Sequence, residues 1–196
     1  MVLKTDFHLG RYASYWFHKS PRRMLQALSY YKFAAHLIGK NKRILDIGCN
    51  EGIGTWLFAK ECGYALGVDF DEEAIGVAKA NFSSPQVDFL AADVLKTRIE
   101  GTWDAVVSFD VIEHITPQNV PAFLKGMISY LSPHGLTVIG TPSEISQNFA
   151  SAFAKKGHIN IYSPERIEEE MQRYFTHVFL FSVNDEVVHT GYSKWS

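Results

Sequence analysis

The sequence predicts a doubly wound α/β fold: a mostly parallel sheet with helices on both faces, closed by an antiparallel hairpin at the C-terminal end. Three observations predict it. The segment Ile44-Leu45-Asp46-Ile47-Gly48-Cys49-Asn50-Glu51-Gly52-Ile53-Gly54-Thr55 runs from an apolar strand through a glycine-rich turn into a helix. Gly48 and Gly52 can take backbone angles closed to other residues, and the helix start offers unpaired N–H groups, so the turn is a ligand cradle. Asp46 lies inside this segment, Asp69 closes the next apolar strand 23 residues later, and Asp93 closes a third. Ligands of open α/β sheets bind outside the carboxyl ends of the strands, so three acids at three strand ends converge on one site. Finally, strands and helices alternate along the chain until two strand-like runs follow one another near its end.

Each element has its own signal. Ser20-Pro21 reads as a cap followed by a proline at the first helical position, opening a helix to about residue 36 with Met24, Leu25, Leu28 and Tyr31 on one face. Strand one is expected at residues 43–49. The helix after Gly52 follows the spacing of Ile53, Trp56, Leu57 and Lys60, and strand two covers residues 65–69. Asp71, Glu72 and Glu73 suit the positive start of the next helix. Strand three is expected at residues 87–91, and strand four, residues 103–109, is apolar enough to be a buried central strand. Thr116-Pro117 opens a helix carrying Val120, Phe123, Leu124, Met127, Ile128 and Leu131 at helical spacing, with Pro133 and Gly135 ending it. Residues 136–141 form strand five. Ser163-Pro164 starts a late helix to about residue 173, and residues 175–183 and 186–190 read as the hairpin, joined by Asn184-Asp185.

At 196 residues and 46% hydrophobic content, one domain with a sizeable core is expected, residues 1–40 forming a helical lid and 41–196 the ligand-binding domain. No cleavable signal and no apolar run of membrane-spanning length stands out, which gives the expectation of a cytoplasmic protein without membrane contact. Cys49 and Cys62 lack metal-site spacing and read as free thiols. The net charge of −2 argues against a generic nucleic-acid binder. Residues 1–43 nonetheless hold nine of the 19 Lys and Arg against one acid, Asp6, interleaved with aromatics. That segment is either an amphipathic lead-in packing its rings on the sheet or a lid attracting an anionic acceptor.

Over residues 40 to 142 the chain resembles the class I S-adenosylmethionine-dependent methyltransferases. Asp46, Gly48, Gly52, Asp69 and Asp93 match that family's acid and glycine positions in order, and Phe109-Asp110-Val111-Ile112-Glu113-His114 is similar to its segment after strand four. Asn50 stands where the family has its middle glycine; asparagine tolerates left-handed backbone angles, so the turn can persist. The resemblance implies a Rossmann-like sheet and S-adenosyl-L-methionine as cofactor. It implies a cofactor floor of Asp46, Gly48, Cys49, Asn50 and Gly52, with Asp69 on the ribose hydroxyls, Asp93 near the adenine and Asp110 and Val111 bordering the cofactor. Phe70 and Val94 would flank the adenine. Physical chemistry separates this reading from a dinucleotide oxidoreductase: a pyrophosphate wants bare N–H donors, whereas an ammonium and two ribose hydroxyls want carboxylates.

The expected reaction is methylation at oxygen or nitrogen of a small or medium-sized acceptor, with His158 and His114 as candidate proton acceptors. His158, in Gly157-His158-Ile159-Asn160, would overhang the site from the loops after strand five; His114 could instead bond a backbone carbonyl. Thr141-Pro142 ends strand five at the same edge, and His189 and Tyr192 are further candidates for its mouth. The leading expectation is a site without a metal. As an alternative, Asp110, Glu113, His114 and His158 resemble the ligand set of metal-dependent RNA 2′-O-methyltransferases, given a helix after strand four that carries the first three on one face. A non-catalytic cofactor-binding regulator is a third reading.

Overall fold

The computed structural model describes residues 6–183. Within them five strands form one parallel sheet: β1 (Lys42–Ile47), β2 (Gly63–Asp69), β3 (Val87–Ala91), β4 (Trp103–Phe109) and β5 (Leu131–Gly140), in the order β3-β2-β1-β4-β5. The order reverses between β1 and β4, and the carboxyl ends of the strands open there. Two helices precede the sheet, α1 (Arg11–Lys19) and α2 (Pro21–Ile38). The connecting helices are α3 (Ile53–Glu61), α4 (Glu72–Phe82) and α5 (Val120–Ser129), and α6 (Ala152–Gly157) and α7 (Pro164–Gln172) follow β5. The return from β3 to β4, residues 92–102, carries no helix.

Strand alternation divides the core in two, because successive side chains leave opposite faces of a sheet. Ile44, Ala65, Ala105, Val107 and Phe109 face one layer with Ala34, Ala35, Phe58, Ala78 and Phe82 of α2, α3 and α4. Leu45, Ile47, Val68 and Val106 face the other with Phe123, Leu124, Met127 and Met171 of α5 and α7. Each fully buried large apolar side chain contributes about 1.5–3 kcal/mol, so both faces must be covered for the sheet to persist. Asp46 follows Ile44 by two residues and therefore points into the first layer, toward α3.

The doubly wound parallel sheet stands as the sequence predicts it; no antiparallel hairpin is seen among the described residues. Residues 175–183 run as irregular chain without strand pairing, and residues 184–190 lie outside the described residues. Phe179, Leu180 and Phe181 are all exposed, and only the Phe181 ring meets Phe33, with centroids 4.9 Å apart. The apolar alternation of this stretch found no strand to pair with among the described residues.

Other boundaries moved for local reasons. β5 begins at Leu131, not Leu136, and includes Pro133 because the register with β4 breaks between Trp103 and Ala105, leaving the proline where no ladder donor is needed. The helix expected from Thr116 begins at Val120. In α3 the buried side is Gly54, Thr55, Phe58 and Ala59, while Trp56 is 39% exposed; in α2 the buried residues are Ala34, Ala35 and Ile38, and Leu25 is 56% exposed. Small residues allow these helices to lie close to the sheet, with Tyr31, Ile53 and Leu57 of the larger apolar stripes packed around them and Leu25 and Trp56 at the margin. Asp71 caps α4, accepting from the N–H groups of Glu73 and Ala74, as its sequence suggests. Cys49 and Cys62 are buried free thiols. No helix of the described residues is long and apolar enough to cross a membrane.

Candidate active site

The turn between β1 and α3 is held open by backbone geometry. Gly48, Asn50 and Gly52 all have positive φ, at 81°, 50° and 80°. A Cβ on Gly48 would come within 2.2 Å of Val111 Cγ2, and one on Gly52 within 2.5 Å of the Phe89 ring. Asn50 meets the same demand by hydrogen bonding: its side-chain oxygen accepts from the Glu51 N–H at 2.7 Å while its own N–H donates to Asp69 Oδ2 at 2.9 Å. The missing middle glycine is thus replaced by a residue that can occupy the left-handed region and stabilise it.

Every N–H of this turn is engaged. Gly48 and Cys49 both donate to the Val68 carbonyl, Asn50 to Asp69, Glu51 to the Asn50 side chain and Gly52 to the Cys49 carbonyl. Residues 48–52 therefore spend their own N–H groups on the fold. What it leaves is an acceptor: Asp46, fully buried, takes the Thr55 hydroxyl on Oδ2 at 2.6 Å, while its Oδ1 has no partner among the described residues. Burial pushes the Asp46 pKa up to about 7; the Thr55 hydroxyl works against the rise and Asp69 adds to it. An unsatisfied buried carboxyl oxygen calls for a donor, and a cation best of all.

Asp69 closes β2 one strand away. Its oxygens accept the N–H groups of Asn50 and Asp71, both at 2.9 Å, and lone pairs remain for a ligand's hydroxyls. Asp93 instead turns on itself, accepting from Leu95 N–H at 3.0 Å and from Lys96 Nζ at 2.7 Å, and the lysine first and the N–H second lower its pKa. Val94 is half-buried against the second layer, and Phe70 stands 80% exposed at the rim of β2. Val111 lies across Gly48, bordering the floor.

A second group of polar residues lies beyond β4 and β5. Asp110 leaves β4 with a left-handed φ of 53°, and the chain then makes a 3-10 turn over Ile112–His114. The helix that would carry Asp110, Glu113 and His114 on one face does not form. Asp110 faces Arg23 of α2 instead, at 3.8 Å, and packing around it raises its pKa while Arg23 and His114 pull it down. Glu113 turns inward and is fully buried; its Oε2 accepts from the Thr141 hydroxyl at 3.0 Å and its Oε1 has no partner among the described residues. Burial first, then the Asp110 charge, pushes Glu113 up to about 8, so it is protonated at neutral pH.

His114 and His158 meet beside it, rings edge to face with centroids 5.1 Å apart. His114 Nδ1 lies 2.9 Å from the Gly157 carbonyl, which can only accept, so Nδ1 donates and Nε2 makes no hydrogen bond among the described residues. His158 Nδ1 lies 3.0 Å from Gln147 Oε1, so the Gln147 amide holds the ring on that side. Burial, with His114 and Arg23 adding to it, lowers the His158 pKa, which keeps the ring neutral. One potential ligand atom from each of Glu113, His114 and His158 lies within 4.8 Å of the others. The Glu113 carbonyl fixes the facing loop, accepting from Ile159 N–H at 2.9 Å and Asn160 N–H at 3.0 Å.

The structure thus brings Asp46, Asn50 and Asp69 together on one side and Glu113, His114 and His158 on the other. His189 and Tyr192 lie outside the described residues. Thr141 was visible in the sequence only as the end of β5; Gln147, Arg23 and Glu51 carried no signal, since their roles depend on contacts 11 to 87 residues away in the chain.

Known proteins show the same organisation. The family described as "Methyltransferase domain" matches residues 16–174. A probable S-adenosylmethionine-dependent methyltransferase of Mycolicibacterium smegmatis is 28% identical over 134 residues, 68% of this chain and 48% of that protein. A ubiquinone biosynthesis O-methyltransferase of Paraburkholderia xenovorans is 34% identical over 118 residues, 58% of this chain and 49% of that protein. The chain spans about half the length of these curated relatives. Among solved structures, a DhpI–SAH complex superposes with a TM-score of 0.65 at 18% identity, covering 83% of this chain and 81% of that one. The N-methyltransferase NodS of Bradyrhizobium japonicum superposes at 0.56 and 21% identity, covering 80% and 82%. At these identities both establish the fold.

Proposed function

This chain belongs to the methyltransferase-domain family, and we propose on that premise that it methylates an oxygen or nitrogen of a small or medium-sized acceptor in the cytoplasm, with S-adenosyl-L-methionine as donor. The observation that carries the reading is the turn with its N–H groups engaged and one buried carboxyl oxygen, Asp46 Oδ1, left without a donor among the described residues. That arrangement suits an ammonium, directly or through water. Asp69 suits vicinal hydroxyls, Phe70 and Val94 the adenine, Asp93 the far edge of the base, and Asp110 and Val111 the side nearest the acceptor. When bound, the cofactor supplies a carbon activated by a positive sulfur; the protein's part is to align the acceptor and receive its proton. His158 holds a neutral ring and is the proton acceptor in this reading, and His114, tied to Gly157, holds the loop. Relatives named for O-methylation and for N-methylation support either acceptor atom. Residues 1–40 serve as a lid on the single domain, and its cations favour an anionic acceptor over nucleic acid.

A divalent cation between Glu113, His114 and His158 is the second reading, favoured by their ligand atoms lying within 4.8 Å and by the unpartnered Glu113 Oε1. It would lower the pKa of an acceptor hydroxyl. Calorimetry with S-adenosylmethionine and NAD, followed by turnover on an acceptor panel with and without a chelator, tests both. Binding of the first alone, with chelator-insensitive turnover, is the expected result. Tight NAD binding would overturn the assignment, chelator-sensitive turnover would move it to the second reading, and cofactor binding without turnover would leave a regulator.

A further inference from the structure

We propose that Glu51 is a positioning residue that latches α1 across the cofactor floor, so that lid docking and cofactor retention are one equilibrium; the inference rests on the methyltransferase reading. Glu51 is buried although it is charged and belongs to a surface turn, and its carboxylate spans the start of α1. Oε1 accepts from Tyr12 N–H at 2.8 Å and Oε2 from Ala13 N–H at 2.9 Å. These are two of the donors that every helix leaves unpaired at its start. The helix supplies no substitute: its N-cap residue is Gly10, with no side-chain bond to the helix, and its first turn carries no acid. Nine residues form a marginal helix without tertiary help, so the order of α1 depends on a carboxylate 38 residues away.

A second contact ties the same turn of α1 to the neighbouring loop. Arg11 donates to Asp71 Oδ2 at 2.7 Å and reaches Glu73 at 3.2 Å, and the Tyr12 hydroxyl lies 3.5 Å from Asp71. Asp71 N–H in turn donates to Asp69, and Glu51 N–H is bound by Asn50, whose N–H holds the other Asp69 oxygen. The start of α1 therefore bridges the turns after β1 and β2, the two that the cofactor would touch. A ligand that fixes those turns fixes the helix, and a docked helix holds the turns.

Gly10 records the same fit from the other side. Its φ of −72° and ψ of −176° are open to any residue, yet a Cβ there would come within 2.2 Å of Glu51 Oε1. The glycine is required by the carboxylate and not by the backbone. Gly10→Ala thus displaces the latch from the lid side without touching the turn, and Glu51→Ala removes it from the turn side.

The test is a double-mutant cycle read by S-adenosylhomocysteine affinity and dissociation rate, with tryptic cleavage at Lys19, Arg22 and Arg23 under saturating ligand. Loss of one helix cap corresponds to about a fivefold change in affinity. Each single variant is expected to weaken binding by about that factor and speed cleavage, and Gly10→Ala is expected to be silent in the Glu51→Ala background, where nothing remains to clash. Multiplying effects in the double variant, or wild-type cleavage in Glu51→Ala, would overturn the latch and leave Glu51 a prop of its own turn. Wild-type protein that does not bind S-adenosylhomocysteine would overturn the cofactor reading, a result separate from either.

Discussion

The two halves of the site hold the same chemical device and reach it by different routes. Among the described residues, Asp46 on the β1 and β2 side is buried with one oxygen on Thr55 and the other without a partner, and Glu113 on the β4 and β5 side is buried with one oxygen on Thr141 and the other without a partner. Asp46 and Thr55 lie nine residues apart, on a strand and the helix that follows it, so local folding assembles the pair. Glu113 and Thr141 lie 28 apart, and His158 arrives from a loop after α6. A cofactor common to many enzymes can be held by a local segment, whereas an acceptor peculiar to one enzyme is met by residues that separate connections deliver and can vary independently.

If the halves are separable, damage to one should leave the other intact. The largest expected effect is on turnover: His158→Ala should lower kcat by about 10²–10⁴-fold with unchanged cofactor affinity, since its ring touches nothing on the cofactor floor. His114→Ala should do less, because its Nδ1 is tied to the Gly157 carbonyl. Calorimetry beside steady-state rates reads both, and weakened cofactor binding in His158→Ala would merge the two halves into one.

The next effect lies on the other side. Asp69→Ala should cost about 1.5–3 kcal/mol in cofactor binding for each charge-assisted hydrogen bond lost, and it also frees the N–H groups of Asn50 and Asp71. Cofactor affinity equal to wild type by calorimetry would remove Asp69 from the floor.

A third test compares the two acids directly. Both have folded pKa values above the ordinary carboxylate range, about 7 for Asp46 and about 8 for Glu113. Between their unfolded and folded values the unfolded chain has released protons that the native state keeps, so stability is fully present below about pH 4 and falls as pH rises through 7 to 8. Each group contributes a slope of about 1.4 kcal/mol per pH unit within that window. Thermal unfolding of the ligand-free protein should follow this slope, and Glu113→Gln should lessen it. Added S-adenosylmethionine should flatten the Asp46 part alone, because an ammonium beside it favours the ionised form. A Tm rising steadily from pH 5 to 8 in the ligand-free protein would contradict both assignments.

Much of this was legible in the residues themselves. β3 and β4 begin and end where their apolar runs do, Asp71 caps the helix it precedes, and the turn of Gly48, Asn50 and Gly52 takes the left-handed geometry its composition demands. These are local matters: a φ that only glycine or asparagine adopts readily, a side chain within reach of its own backbone, a strand apolar on both faces. Tertiary structure alone decided the rest. It left residues 175–183 unpaired among the described residues, because a strand exists only where another pairs with it. It replaced a helix after β4 by a 3-10 turn, sending Asp110 to Arg23 and Glu113 into the core, and it gave a short helix without a cap of its own the carboxylate of Glu51. Sequence spacing ranks neighbours along the chain, but burial and unpaired donors and acceptors are properties of the packed molecule, and they set which acid meets a cation, which meets a helix and which keeps its proton.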